Sequence, residues 1–282
     1  MSEAWRDNMT KGLRVSAIIE IVVRAFTDVS RGIHIRDLLA ELIGRDMKLR
    51  YKRSALGMLW SLLTPLTHLV VLLFLFQRVM PLNIPNYPLF VFTGVLAWGW
   101  FSTALPAVTV SITGNRELIR QPGFPVAILP AVPVLSNLVH FAIALGLVLV
   151  VVMVGGTWPT PAVAALPLII ALQFLVTLSL GYFTAALQVR FRDTSHALGV
   201  VLRLGFFLTP VFYRKGSVPE AYQGLYALNP MVHLITAYRQ VLIEGRWPDV
   251  PALMAVGAVT AVLLWLGHRT FTRASSDFAD EI

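Results

Sequence analysis

Residues 163–189 read VAALPLIIALQFLVTLSLGYFTAALQV, a stretch without one charged side chain. A helix that crosses a bilayer needs about 20 mainly apolar residues. Because a water-exposed helix of this length would carry charges on its outer face, this stretch is typical of a membrane-spanning helix.

Five further stretches have a similarly apolar character. Together with the first they give six predicted spans, at residues 56–76, 88–112, 127–154, 163–189, 197–213 and 250–266. The fifth and sixth are short, and the fifth carries Arg203. Over the whole chain 56% of residues are hydrophobic and 13% are charged, against about 25% charged in soluble domains. The sequence therefore predicts an all-α integral membrane protein with six transmembrane helices.

Lys and Arg near the span ends predict the orientation, because cytoplasmic flanks are enriched in both. With the N-terminus in the cytoplasm, the cytoplasmic flanks hold Arg45, Lys48, Arg50, Lys52, Arg53, Arg116, Arg120, Arg190, Arg192, Arg269 and Arg273. The opposite side holds fewer, so both termini are predicted to be cytoplasmic. The net charge of +8 then suits anionic lipid headgroups better than nucleic acid.

The chain divides into an N-terminal cytoplasmic or interfacial region, residues 1–53, and a transmembrane domain, residues 54–282. In the first region Leu38, Leu39, Leu42 and Ile43 share one helical face, which predicts an amphipathic helix in the membrane interface. The alternative is a soluble helix packed on a partner.

The outer segment between spans five and six, residues 214–249, is too long for a plain connection. Asn229-Pro230 is typical of a helix start, and Gly245 is a plausible stop. Apolar residues recur at helical spacing from Met231 to Leu242, while His233, Thr236, Arg239 and Gln240 take the other side. This pattern predicts a short outer helix that re-enters the membrane or lies on its surface.

Several chemical motifs are absent from the sequence. It contains no GxxxxGK[ST] phosphate loop, no metal-spaced cluster and no cysteine, so no cofactor is predicted in this chain. His68 and His140 each stand alone in a span and are interpreted as packing or hydrogen-bonding residues. No carboxylate lies in a predicted span, which argues against ion-coupled transport and indicates that energy comes from a partner.

Three motifs carry a resemblance to a known family. They are RYKRSALGMLW at residues 50–60 running into Leu63-Thr64-Pro65-Leu66, Asn115 to Arg120 followed by Phe124-Pro125, and Leu228-Asn229-Pro230-Met231 with Tyr238-Arg239. In this order the chain resembles the permeases of polysaccharide ABC exporters (O-antigen, teichoic acid and capsule systems), which have the type-2 ABC exporter fold. The resemblance covers about residues 45–266.

The resemblance implies a homodimer in the bacterial inner membrane, with each copy bound to a separate ABC ATPase subunit that holds ATP and Mg²⁺. A lipid-linked polysaccharide of the O-antigen or teichoic acid type would pass through a channel at the dimer interface. Asn229, Pro230, Tyr238 and Arg239 would belong to the outer helix.

Two cytoplasmic segments are candidate contacts with the ATPase. In the family, the segment with Arg116, Glu117, Leu118 and Arg120 forms a short coupling helix, although ordinary positive-inside charge also explains its arginines. A second contact is predicted at the turn between spans four and five, where plain loop charge is the alternative. Its residues are Arg190, Arg192 and Asp193.

The entrance to span one is a candidate site for a phosphate-containing headgroup, since cations attract phosphate oxygens. Its residues are Arg50, Tyr51, Lys52 and Arg53. A purely topogenic role for these charges is the alternative.

The channel candidates come from spans one and five, which line the channel in the family. They are the aromatic residues Trp60, Phe74, Phe206, Phe207 and Phe212, and the cation Arg203. Aromatic faces can stack on sugar rings, whereas the alternative is the aromatic belt of membrane proteins. Arg203 faces the channel or reaches back to the interface.

Three other functions fit the same composition. The first is export of a small drug or lipid by the same fold, and the second is a membrane enzyme acting on lipid carriers. The third is a membrane scaffold.

Overall fold

The computed structural model describes residues 29–52, 54, 56–79, 82, 84–154, 160–275 and 278. These residues form helices and no strand, which confirms the all-α prediction. The α-helices are α1 (Val29–Tyr51), α2 (Trp60–Leu73), α3 (Tyr87–Thr109), α4 (Arg116–Ile119), α5 (Ala131–Val154), α6 (Leu166–Arg190), α7 (Thr194–Leu208), α8 (Glu220–Ala227), α9 (Pro230–Leu242) and α10 (Val250–Ala274).

Five helices in the described part of the chain are long and apolar enough to cross a membrane. They comprise α3, α5, α6, α10, and α2 together with the π-helix Phe74–Val79 that continues it. The fifth predicted span corresponds to α7, an apolar helix of 15 residues. At 1.5 Å per residue α7 is about 22 Å long, shorter than the ~30 Å hydrocarbon core.

The prediction that span five extends to residue 213 is wrong, because α7 ends at Leu208. Thr209 has an extended backbone, with φ −108° and ψ 138°. Since the ring of Pro210 disfavours the α conformation in the residue before it, a helix usually ends there. The sixth span is longer than predicted and continues to Ala274.

Helix α3 lies at the centre of the molecule. It packs against α5, α6, α9, α2 and α7, and it is the most buried of the candidate spans, whereas the α2 span has no buried residue. The fully buried Gln173 of α6 donates a hydrogen bond of 2.7 Å to the carbonyl oxygen of Ala97 in α3. This bond joins α3 to α6 inside the bundle.

Helices α6 and α10 form the most extensive pair. A Cβ atom at Gly267 would lie 2.9 Å from the Ser179 carbonyl oxygen. The absent side chain therefore lets the two backbones approach, as small residues do in membrane helix pairs.

Helix α1 packs on one end of this bundle, which is called the cytoplasmic end after the orientation that the sequence predicts; the opposite end is called the outer end. Leu42 is buried there in an apolar cluster with Ile112, Leu129 and Phe271. The other three residues predicted to share its face also pack on this cluster; they are Leu38, Leu39 and Ile43. The interfacial position of α1 and the division at residue 53 stay predictions.

Candidate functional site

A long groove runs along the face of α3 between α2 and α7. Both helices pack on α3, and the space between them has a volume of about 1020 Å³. Helix α5 completes the wall through Asn137, His140 and Phe141. This space is called the groove.

The groove brings together six of the predicted site residues. They come from the entrance to span one, from α2 and from α7: Arg50, Tyr51, Trp60, Arg203, Phe206 and Phe207. Phe74 and Phe212 do not line it. Lys52 is exposed, and Arg53 lies outside the described residues.

The polar lining of the groove is positively charged. Two guanidinium groups, Arg50 and Arg203, face it, and none of the described lining residues is Asp or Glu. The Nε atom of Arg203 donates to the Gly199 carbonyl oxygen at 3.1 Å, one turn earlier in α7. The indole rings of Trp60, Trp98 and Trp100 also line the groove, so it suits an anionic group attached to a ring-containing chain.

Both histidines that the sequence leaves isolated line the groove. His68 reaches it from α2 and His140 from α5. The hydroxyl of Tyr51 lies 3.2 Å from Nε2 of His140, so the hydrogen-bonding interpretation of His140 is confirmed. Sequence spacing cannot show this pair, because the two residues are 89 positions apart.

The cytoplasmic mouth of the groove is formed where the end of α1 meets α5. Arg50 donates to the Asn137 side-chain oxygen at 3.0 Å and forms an ion pair with Asp46 at 3.4 Å. The Tyr51 ring packs edge-on against His140. Burial, opposed by the positive charge of Arg50, raises the pKa of the Tyr51 hydroxyl. That hydroxyl therefore stays protonated at neutral pH.

An aromatic cluster stands at the outer end of the groove. Phe212 stacks on Phe76 with ring centroids 5.0 Å apart, and it also contacts Phe206 at 5.8 Å. The Tyr213 hydroxyl donates to the Phe207 carbonyl oxygen at 2.9 Å. Phe212 thus lies above the groove and links the α2 side to the α7 side, whereas the largely exposed Phe74 does not take part.

The predicted coupling segment is a short helix, α4, at the same end of the bundle as α1. Its charged residues Arg116, Glu117 and the following Arg120 are exposed. Leu118 is partly buried and packs on the same apolar cluster as Leu42 of α1. Through Leu118, a displacement of α4 would therefore be transmitted to the packed side chains of this cluster.

The side chain of Gln188 bridges the turn between α6 and α7. Gln188 donates from Nε2 to the Arg192 carbonyl oxygen at 3.0 Å, and its Oε1 accepts from the Ser195 N–H at 2.8 Å. Arg190, Arg192 and Asp193 are exposed on this turn. These bonds give the turn a defined shape, a property suited to a protein contact.

The outer helix α9 begins as predicted. The Asn229 side chain accepts a hydrogen bond from the Met231 N–H at 3.0 Å, and Pro230 is the first helical residue. Gly245, with φ +64°, lies three residues beyond its end.

The prediction that Arg239 and Gln240 lie on a polar face of α9 is wrong. Each is 6% exposed, and Tyr238 is also buried. The reason is that α9 packs against α3, α6 and α10, where the side chains of Arg239 and Gln240 bond to backbone groups. Arg239 donates to the carbonyl oxygens of Pro210 and Val211, which the sequence pattern did not indicate.

Comparison with known proteins places these features in a family. The family model described as ABC-2 type transporter matches residues 38–243. The O-antigen export system permease protein RfbA of Myxococcus xanthus is 42% identical over 249 residues, covering 88% of this chain and 96% of that protein.

Two further relatives cover similar lengths. The protein of the same description from Klebsiella pneumoniae is 29% identical over 250 residues, covering 88% of this chain and 95% of its own length. The polysialic acid transport protein KpsM of Escherichia coli is 25% identical over 240 residues, covering 84% of this chain and 93% of its own.

Proposed function

This chain belongs to the family of ABC-2 type transporters, and we propose that it is the membrane subunit of an ATP-driven exporter of lipid-linked cell-surface polysaccharide. The relative with 42% identity is an O-antigen export system permease, which favours the O-antigen or teichoic acid type of cargo. The membrane is then the bacterial cytoplasmic (inner) membrane.

The observation that carries the proposal is the groove. It is lined by α2, α3 and α7, and it combines two cations with aromatic rings. None of its described lining residues is acidic. A lipid-linked saccharide offers phosphate to Arg50 and Arg203, and it offers apolar ring faces to Trp60 and Phe206. Lys52 and Arg53 extend the positive charge at the entrance.

The proposed topology has six spans with both termini cytoplasmic. Helix α7 is the sixth crossing element, and the non-helical residues 209–212 extend it toward the outer surface. Helices α8 and α9 then form the outer re-entrant segment. The positions of Lys and Arg along the chain support this orientation.

A second copy of the chain completes the channel. Helices α2 and α7 present apolar side chains that nothing in the described chain covers: Val70, Val71, Leu204 and Phe207 are each more than half exposed. In a homodimer these faces and the open side of the groove would meet their counterparts, and the groove would become an enclosed path. Phe74 and Phe212 would line that path at its outer end.

The ATPase subunits dock on the cytoplasmic side, at α4 and at the turn between α6 and α7. ATP and Mg²⁺ are held by those subunits, so no cofactor is proposed for this chain. The exposed charges of Arg116, Glu117 and Arg120 face the ATPase, while Leu118 transmits motion into the bundle.

Charge reversal tests the docking surface. We expect the double substitution Arg116→Glu with Arg120→Glu to abolish co-purification of the ATPase, because two attractive contacts become repulsive. Arg246→Glu, which reverses an exposed arginine of the outer segment, is the matched control. Retention of the ATPase by the double variant would contradict the docking assignment.

Transport itself is tested with inverted membrane vesicles that contain this chain and the ATPase. Lipid-linked polysaccharide added outside should become protected from a glycosidase in the presence of ATP but not of ADP. ATP-dependent uptake of a small lipid or drug into the vesicles, without protection of the polymer, would support the alternative exporter of the same fold instead.

A further inference from the structure

The chain between α7 and α8 begins with a buried segment that is not helical, Thr209–Phe212, called here the outer anchor. Thr209 and Val211 are fully buried. Non-helical backbone at membrane depth has free carbonyl groups that must find partners within the protein. Side chains of Arg239 and Tyr87 donate to carbonyl groups of this segment, and the side chain of Asn229 donates to its Thr209 hydroxyl.

Arg239 of α9 is the central partner. It donates from Nη1 to the Pro210 carbonyl oxygen at 2.7 Å, from Nη2 to that of Val211 at 2.5 Å, and from Nε to that of Phe90 in α3 at 3.3 Å. Its guanidinium carbon lies 3.5 Å from the centre of the Phe90 ring. No described carboxylate forms an ion pair with Arg239, and its partners are three backbone carbonyl oxygens and the Phe90 ring.

Two further side chains hold the ends of the outer anchor. Asn229 donates from Nδ2 to the Thr209 hydroxyl oxygen at 2.9 Å. The Tyr87 hydroxyl at the start of α3 donates to the Phe212 carbonyl oxygen at 3.0 Å. The anchor is therefore tied from residue 209 to residue 212.

Gly94 of α3 makes room for this arrangement. A Cβ atom at Gly94 would overlap the Val211 carbonyl oxygen and lie 2.7 Å from Nη2 of Arg239. The fit between α3, the anchor and α9 is thus close on every side.

Within one copy of the chain, the rest of α7 makes far fewer buried contacts. Leu202 is its one buried residue in the structure, while Val201, Leu204 and Phe207 are largely exposed. Helix α7 is therefore fixed at its outer end and lightly packed along its length, and its cytoplasmic end follows the exposed turn at Arg190–Asp193.

We infer that Arg239 is a positioning residue for transport. It fixes the outer end of α7, so that a force on the cytoplasmic end tilts α7 about the outer anchor and widens the groove from the cytoplasmic side. Phe212 stays stacked on Phe76 during this movement. The inference rests on the proposed function, because the force comes from the ATPase.

The absence of native cysteine makes the test direct. The full chain with its ATPase is reconstituted in liposomes in two forms. One carries Phe76→Cys with Phe212→Cys and reports disulfide formation at the outer end. The other carries Leu202→Cys and reports labelling by a water-soluble maleimide in the middle of α7. Both are measured without nucleotide and after trapping with ATP and vanadate.

We expect nucleotide trapping to raise the Leu202→Cys labelling rate at least fivefold and to leave the disulfide rate within twofold. Adding Arg239→Gln should slow the disulfide at least tenfold and remove the nucleotide effect on labelling, while ATP hydrolysis continues. Arg239→Lys, which keeps the charge but loses the forked geometry, should recover part of the disulfide rate. Arg246→Gln, an exposed outer arginine, is the matched control and should change neither rate.

Three results are decisive. A nucleotide effect of equal size on both reporters, or an unchanged disulfide rate with Arg239→Gln, overturns the anchor and leaves the proposed function intact. No nucleotide effect on either reporter in the chains that keep Arg239 overturns the proposed function, and the tilt with it. If Arg239→Gln fails to assemble, Tyr87→Phe takes its place, and an unchanged disulfide rate there overturns the anchor.

Discussion

The two ends of the groove are both held by polar contacts, but in different surroundings. At the outer end, buried side chains donate to buried backbone carbonyl groups, with Arg239 at the centre. At the cytoplasmic mouth, Arg50 and Asp46 form an ion pair whose side chains are 29% and 33% exposed. Water can reach this ion pair, whereas Pro210 and Val211 of the outer anchor are buried.

The difference in burial therefore predicts a difference in rigidity. A buried donor or acceptor that loses its partner costs about 1–3 kcal/mol, whereas an exposed ion pair contributes about 0–1 kcal/mol. The outer end is consequently the stable end of the groove, and the mouth is the end that can open at low cost. Each prediction below tests that contrast.

The largest effect is expected from Arg239→Met. The substitution introduces an apolar side chain of similar length, and it leaves the buried carbonyl groups of Pro210 and Val211 without the donors that Arg239 supplies. We expect a loss of about 3 kcal/mol or more in the free energy of unfolding, measured by denaturant titration in detergent micelles.

Asp46→Asn, which breaks the ion pair at the mouth and leaves the bond from Arg50 to Asn137 in place, is the control there and should cost no more than about 1 kcal/mol. Equal losses from the two substitutions would show that burial does not distinguish the two ends.

Gly94→Ala should give the next largest effect. Its added methyl group would meet the Val211 carbonyl oxygen and Arg239, and overpacking of this kind costs about 1–3 kcal/mol. Gly99→Ala in the same helix is the control, since nothing lies within 4 Å of a Cβ atom there. Thermal unfolding of both variants should show a lower midpoint for Gly94→Ala alone, and a lowered midpoint for Gly99→Ala would contradict this explanation.

The sequence predicts those features whose cause lies within a few residues. Apolar length is enough to place the spans, and Asn229-Pro230 is enough to place the start of α9. The end of α7 was also within reach, because the residue before Pro210 is restricted by the local chain alone.

The outer anchor was beyond such reasoning. Arg239 bonds to residues 29 and 149 positions away, and its spacing among apolar neighbours favoured an exposed face. A polar residue whose partners are backbone carbonyl groups leaves no signature at those partner positions. The pairing of Tyr51 with His140 was missed for the same reason, since tertiary packing alone brings them together.

Asn229→Ala is expected to cost about 1–2 kcal/mol, because the residue both caps α9 and donates to Thr209. Asn229→Ser separates the two roles, since a serine caps a helix but lacks the amide that reaches Thr209. We expect Asn229→Ser to recover about half of the loss in the free energy of unfolding. Full recovery would mean that the bond to Thr209 adds nothing to the anchor.

The smallest effect is expected at the mouth, from Tyr51→Phe. The substitution keeps the edge-on ring contact with His140 and removes the hydroxyl, so the loss should be below about 1 kcal/mol, the net value of one partly exposed hydrogen bond. A double-mutant cycle with His140→Phe isolates this term, and we expect a coupling energy of about 0.5 kcal/mol. A coupling as large as the loss from Arg239→Met would make the mouth as rigid as the outer end, and α7 would then have no softer end at which the groove could open.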